Sequence, residues 1–286
     1  MEIQQYLENF KKQLKAKQLY TNKLLKDFSI LEKLLNEPIG NVFKIIQKIK
    51  EMESKYKESE YFEQLNEIIS KINEMCRKNE EEFIYNFSRG LKEAFEKRGI
   101  QVSGLYPEYI VGIFNLRVDF QLGKASIYFC KELIRGNIVL DISKIAYAFD
   151  KADKEIRGRR FDGKAFINLL WEAYKRVILL NGLEIGKRVN IIEVMRELAI
   201  LMQVSSFTIN PKKENYKSYS RAYFAYDLYR LKAEGILEHN GKRLNIGTAT
   251  IDYTGKDRYS LYVYDDLTGG NYVMYISFID IFNNNI

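Results

Sequence analysis

Residues 218–241 read SYSRAYFAYDLYRLKAEGILEHNG. At about 100° per residue, Phe224, Leu228 and Leu231 share one helical face. Tyr219, Tyr223, Tyr226 and Tyr229 share nearly the opposite one, with Arg230 beside them. The spacing predicts a helix over 218–235, stopped by Gly235, a residue that enters the left-handed region freely. Ile236, Leu237 and Glu238 follow, and His239-Asn240-Gly241 reads as a hairpin turn. The stretch is therefore a helix running directly into a β-hairpin. Its tyrosine face has three open readings: core against later strands, a protein interface, or a surface that stacks on bases or meets phosphates.

Upstream, Asp162 is placed to cap a helix over 163–180 with Phe166, Leu170, Ala173 and Val177 inside, ended by Asn181-Gly182. Lys187, Arg188 and Val189 form a short extended piece. Asn190 with Glu193 three residues on predicts a capping box for a second helix. Ile191, Val194, Met195, Leu198 and Met202 face its inside. A polar loop, 205–217, leads to the tyrosine-rich helix.

Helix, short strand, helix, loop, helix, hairpin is the order of a winged helix-turn-helix. Residues Arg188-Val189-Asn190-Ile191 with Glu193, then Leu228, Leu231, Gly235, Ile236 and Leu237, carry the resemblance, which spans about 163–250 at superfamily level. One departure is the long loop between the second and third helices, where the superfamily has a tight turn. The resemblance implies phosphate contacts from Lys and Arg near the third helix and the turn: Lys217, Arg221, Lys232, Lys242 and Arg243. Arg159 and Arg160, in the basic run 157–160, form a second patch. A solvated linker is the other reading of that run.

Residues 100–160 change period. Ile110, Phe114, Leu116, Val118 and Phe120 alternate with polar residues, which predicts one strand over 109–120 with a single buried face. Residues 124–131 read as the return strand and 138–140 as a third, covered by a helix over 143–156. Asp119, Lys131 and Glu132 invite comparison with metal-dependent nucleases, but the Glu-x-Lys order is missing. Residues 1–99 read as helices. Ile3, Tyr6, Phe10 and Leu14 begin a stripe that Leu24, Phe28, Leu31 and Leu35 continue. Phe43, Ile46, Ile49 and Met52 mark a second helix; Leu65, Ile69, Ile72, Cys76, Phe83, Phe87 and Leu91 mark a third. The result is an antiparallel bundle or a coiled-coil arm for a partner. Beyond residue 250, strands over 258–264 and 271–278 flank a turn-rich connection. Tyr272, Tyr275 and Phe278 are available to pack on the tyrosine face. The tail, Asn283 to Ile286, reads as frayed.

The expected fold class is thus α+β in three parts. They are a helical bundle or coiled-coil hairpin (1–99), a small antiparallel sheet with a covering helix (100–160), and a winged-helix-like domain with an extra hairpin (161–286). Composition narrows the function. Net charge is +7, and the excess lies late: residues 151–190 hold ten Lys/Arg against five Asp/Glu, and 211–260 ten against six. A polyanion partner suits that distribution. A single histidine, His239, excludes a His-based triad or multi-His metal site. No P-loop signature occurs. No catalytic residue, metal ligand or cofactor is expected. Cys76 and Cys130 sit in apolar contexts, as buried free thiols do in a reducing compartment. The opening MEIQQYLENF lacks the form of a secretory signal, and no run of about 18 apolar residues exists, so a cytoplasmic location is expected. The functional expectation is a non-enzymatic DNA-binding protein, either a regulator or an accessory subunit of a DNA-processing complex. The alternative is a structural adaptor whose helical arm and winged-helix unit make protein–protein interactions, including self-association through the N-terminal helices. A nuclease is the third reading.

Overall fold

The structure is a computed structural model and describes residues 2–266 and 269–281, with the Glu2 side chain excluded. The tail 283–286 and positions 267 and 268 of the 265–270 connection lie outside the described residues. The chain is mixed α+β, with helices first and antiparallel sheets after them. It divides into two compact units. The first comprises residues 1–109, 117–125 and 137–145; the second comprises 110–116, 126–136 and 146–286.

In the first unit, α1 (Glu2–Leu35), α2 (Val42–Tyr56) and α3 (Phe62–Glu96) form the bundle. Pro38 and Gly40 interrupt the first two, and Asn41 Nδ2 ties the turn by donating to the Leu34 carbonyl at 3.1 Å. Leu24 and Leu31 of α1, Leu65, Ile69 and Cys76 of α3, and a seam on α2 make the core. That α2 seam is Val42, Ile45, Ile49, Met52 and Tyr56. Phe43 and Ile46, expected inside, are only partly covered. Asp27 is buried and accepts from Lys48 at 2.8 Å, Lys55 at 2.7 Å and the Tyr56 hydroxyl at 2.6 Å. Burial alone would raise its pKa. Donation from Lys48, Lys55 and Tyr56 outweighs burial and holds the carboxyl well below the usual carboxylate range. Phe120 closes the unit, with Phe43, Phe83, Phe87 and Tyr106 rings all within 5.1 Å of its own.

The first sheet has five strands in chain order: β1 (Val102–Leu105), β2 (Glu108–Val111), β3 (Phe114–Asp119), β4 (Lys124–Phe129) and β5 (Glu132–Val139). Its strands contribute residues to both units. The single strand expected over 109–120 is two strands. Gly112, at φ 59°, turns the chain between them. The turn reverses the parity of the buried face: Tyr109 and Val111 are inside in β2, but Phe114, Leu116 and Val118 in β3. Ile110 consequently lies outside, 43% exposed. The return strand ends early because Cys130 and Lys131 form a tight turn at φ 47° and 65°.

The second unit holds the end of α4 (Ile142–Ile156), then α5 (Gly163–Leu180), β6 (Val189–Asn190), α6 (Ile191–Leu201) and α7 (Ser205–Ile209). After them come α8 (Arg221–Ala233), β7 (Glu238–His239), β8 (Lys242–Thr248), β9 (Leu261–Tyr264) and β10 (Gly270–Asp280). Strand order is β6-β10-β8-β7, and β9 pairs with the first residues of β10. Asp162 caps α5 as expected, accepting from the Lys164 and Ala165 amides. Asn190 caps α6 through the Ile192 amide, but the capping box does not close: Glu193 instead accepts from Asn181 Nδ2 at 3.0 Å. The loop 205–217 is partly helical, with α7 and a short 3-10 turn, Lys213–Asn215. Phe278 packs on Trp171 and Tyr174 of α5 rather than on the tyrosines of α8. Tyr272 packs on Tyr262. Among the described residues, no helix is long and apolar enough to cross a membrane.

Candidate functional site

Helix α8 begins at Arg221, after Tyr219, because the Ser220 hydroxyl accepts the Tyr223 amide and fixes the N-cap there. Gly235, at φ 68°, ends it. Phe224, Leu228 and Leu231 are fully buried. The opposite face is covered too. The Tyr226 ring meets Phe129 edge-on at 5.5 Å, and the Tyr223 hydroxyl donates to Glu155 at 3.1 Å. From Arg221 to Lys232 no residue of α8 is exposed. The tyrosine face is therefore half-buried, and its partners are other parts of the chain.

At the centre of that face sits Asp227, 2% exposed. It accepts hydrogen bonds from the guanidinium groups of Arg159 and Arg230 and from the Tyr219 hydroxyl at 2.7 Å. Arg230 also donates to the Arg159 carbonyl at 3.0 Å. Each guanidinium lies on a ring: Arg159 4.3 Å from Tyr223, and Arg230 4.1 Å from Phe161. Burial, then the Asp227 carboxylate beside it, pushes the Tyr219 hydroxyl well above its ordinary value. Two cations on one anion leave the cluster formally positive. Sequence reading passed over Asp227, although it is the single acid between 218 and 233, three residues before Arg230.

The cluster forms one wall of a cleft of about 570 Å³. Arg159, Arg160, Phe161, Lys217, Tyr219 and Tyr223 line it, with the start of α5 and the end of α6 as its other sides. The two basic groups separated in sequence, 159–160 and 217, thus meet. Gln203 holds the Lys217 backbone in place from both sides, accepting from its amide at 2.9 Å and donating to its carbonyl at 3.0 Å. Among the described residues Arg160 and Lys217 carry no ion pair, so their charges are available to a ligand. Phenyl and phenol rings beside two free cations suit a phosphate-bearing ligand.

The other predicted contacts lie outside this cleft. Arg221 binds Glu132 at 2.7 Å and donates to the Asp257 and Ser260 carbonyls. Lys232 pairs with Asp265, and Lys242 with Asp280 at 2.6 Å. Arg243, at the β7–β8 turn, is exposed and without an ion pair among the described residues. The residues compared with nucleases are each engaged separately. Asp119 accepts the Leu122 amide of a turn, Glu132 holds Arg221, and the Lys131 ammonium lies 5.0 Å from the Tyr262 ring. Among the described residues, no three His, Cys, Asp or Glu side chains gather as a metal site.

No family model matches this chain, and neither a curated protein nor a solved structure is similar to it.

Proposed function

We propose that the second unit is a winged-helix-like module and that the protein binds DNA without acting on it, as a regulator or accessory subunit. The observation that carries the reading is the convergence of Arg159, Arg160 and Lys217 on one aromatic-lined cleft. The element order supports it as well: α5, β6, α6, a loop that carries α7, then α8 and the β7–β8 hairpin come in the order the resemblance implies. Strand β6 also joins the sheet of the later strands, pairing with β10 at Val189 and Asn190. The covered state of α8 shapes the proposal. A helix whose residues from 221 to 232 are all buried or half-buried does not project side chains deep into a major groove. The contacts proposed are to phosphates, from Arg160 and Lys217 with Arg159 behind them, and from Arg243 at the β7–β8 turn, with Lys242 joining only where a phosphate displaces Asp280 from it. Such contacts fix position and carry little sequence information.

Duplex and single-stranded DNA binding measured across a salt series tests this. The Arg160→Ala/Lys217→Ala variant is expected to weaken binding to all sequences alike and to reduce the salt slope by about two units, roughly one per lost contact. The Lys242→Ala/Arg243→Ala variant reports separately on the turn. Absence of binding by the wild type at low salt moves the reading to a structural adaptor. That second reading is favoured by one observation, the uncovered apolar face at the start of α1.

A further inference from the structure

Helix α1 is covered along only half its length. Residues 3–19 are exposed at every position, about 25 Å of helix. Cover begins where the Tyr20 ring meets Tyr56 at 5.3 Å and Lys17 reaches Glu60 at 3.5 Å. The exposed half is not polar. Ile3, Leu7, Phe10 and Leu14 are 77%, 56%, 59% and 51% exposed. Each stands 21 residues before a covered residue of the same helix: Leu24 and Leu31 in the core, Phe28 and Leu35 partly buried against it. Twenty-one residues are three heptads, so one a/d seam runs the length of α1. Its second half is filled by α2 and α3. Its first half has the same spacing and nothing on it among the described residues. Tyr6, 75% exposed, borders the seam on one side.

We infer that this half-seam is a self-association surface, on which two copies of the chain pair antiparallel through α1. The spacing 3-7-10-14 is four, three, four, which reads the same from either end. Antiparallel copies therefore mesh with the two-fold axis between Leu7 and Phe10, which sets Leu7 opposite Phe10 of the partner subunit and Ile3 opposite Leu14 of the partner subunit. Charge selects the direction. Residues 3–9 carry one acid, Glu8, and no base; residues 11–17 carry Lys11, Lys12, Lys15 and Lys17 and no acid. Antiparallel pairing sets each lysine-bearing half on the half that has none. Parallel pairing sets lysines on lysines, with Lys17, a seam position, directly facing its copy. In the antiparallel pair Lys17 lies beyond the last seam pair, where it keeps Glu60 at 3.5 Å. This inference is independent of the DNA-binding reading.

Sedimentation of the full chain from about 1 to 100 µM tests it, a range bracketing a dimer of modest affinity. The expected result is a rising dimer fraction of the 33.7 kDa chain. Leu7→Glu/Phe10→Glu should leave it monomeric with unchanged circular dichroism and melting, since both residues are exposed. A monomeric wild type at 100 µM, or a dimer that survives both charges, overturns the inference. Orientation is read by oxidation. The Ile3→Cys/Leu14→Cys variant should cross-link between copies, and Ile3→Cys alone should not. Cys76 and Cys130 are buried and give no background. Efficient cross-linking of Ile3→Cys alone overturns the antiparallel arrangement. A wild type that stays monomeric and co-sediments with phosphatidylserine vesicles overturns self-pairing in favour of a lipid surface.

Discussion

The Asp27 carboxylate makes three hydrogen bonds with its side chain 8% exposed, and Lys48 beside it is 10% exposed. Because its folded pKa is depressed, the stabilisation it contributes is fully present above the unfolded value near 4 and is lost as pH falls through the folded one. Removing its charge takes one carboxylate from Lys48, which keeps Glu51 at 3.1 Å, and weakens three hydrogen bonds, a loss of about 1–3 kcal/mol. Asp27→Asn should therefore be less stable than wild type at pH 7, and the difference should shrink below about pH 4. Urea unfolding at a series of pH values reads both, and parallel pH profiles for the two proteins would refute the assignment. Neither Asp27 nor Asp227 was legible as a buried ion centre. Each depends on partners far along the chain, Tyr56 at a separation of 29 residues and Arg159 at 68. The turn at Cys130 and Lys131 was hidden for a different reason. A two-residue turn of this kind is signalled by Asn or Gly, and here it uses two residues that seldom adopt positive φ. The Asn240-Gly241 turn obeys the rule, at φ 50° and 71°, and was readable.

Among the elements, α8 shows what periodicity settles and what it leaves open. Its aliphatic face follows from spacing alone, and Phe224, Leu228 and Leu231 are all closed to solvent. Leu228→Ala should cost about 2–5 kcal/mol, seen as a lower urea midpoint at unchanged m-value. A loss below about 1 kcal/mol would mean that the face is not core. Periodicity could not settle the tyrosine face, because tyrosine suits both a wet surface and a hydrogen-bonded interior. What decided it is chain remote in sequence: Phe129, Glu155 and Arg159 supply the ring, acceptor and cation that Tyr226, Tyr223 and Tyr219 meet. The strand over 109–120 failed for a complementary reason. Alternation was read through Gly112 as if the chain ran straight, and one turn moved Ile110 to the outside. Of the cleft, its cations were readable and its shape was not. Charge density marks 157–160 and 217, but only the packing of α5 against α6 and α8 brings them to one place.

At the scale of the whole molecule, the second unit is not one continuous stretch of chain. It takes in 110–116 and 126–136 before resuming at 146. Those early segments carry packing that the later chain needs. Phe114 meets Phe149 at 5.4 Å, Phe129 meets both Tyr226 and Tyr264 within 5.5 Å, and Glu132 neutralises Arg221. A fragment of residues 161–286 loses all of these. Tyr226 and Tyr264 would open to water, and Arg221, with its side chain 20% exposed in the full chain, would lose its carboxylate partner. Each uncovered aromatic contributes about 1.5–3 kcal/mol of lost burial, and a few such losses approach the whole stability of a domain. The 161–286 fragment should therefore lack a cooperative thermal transition and show weak near-ultraviolet dichroism, the mark of loosened tertiary packing. Extending it back to residue 110 restores Phe114, Phe129 and Glu132 and should restore the transition. A 161–286 fragment that melts cooperatively at the temperature of the full chain would show that the early strands are dispensable. The tyrosine face would then owe its cover to something other than Phe129 and its neighbours.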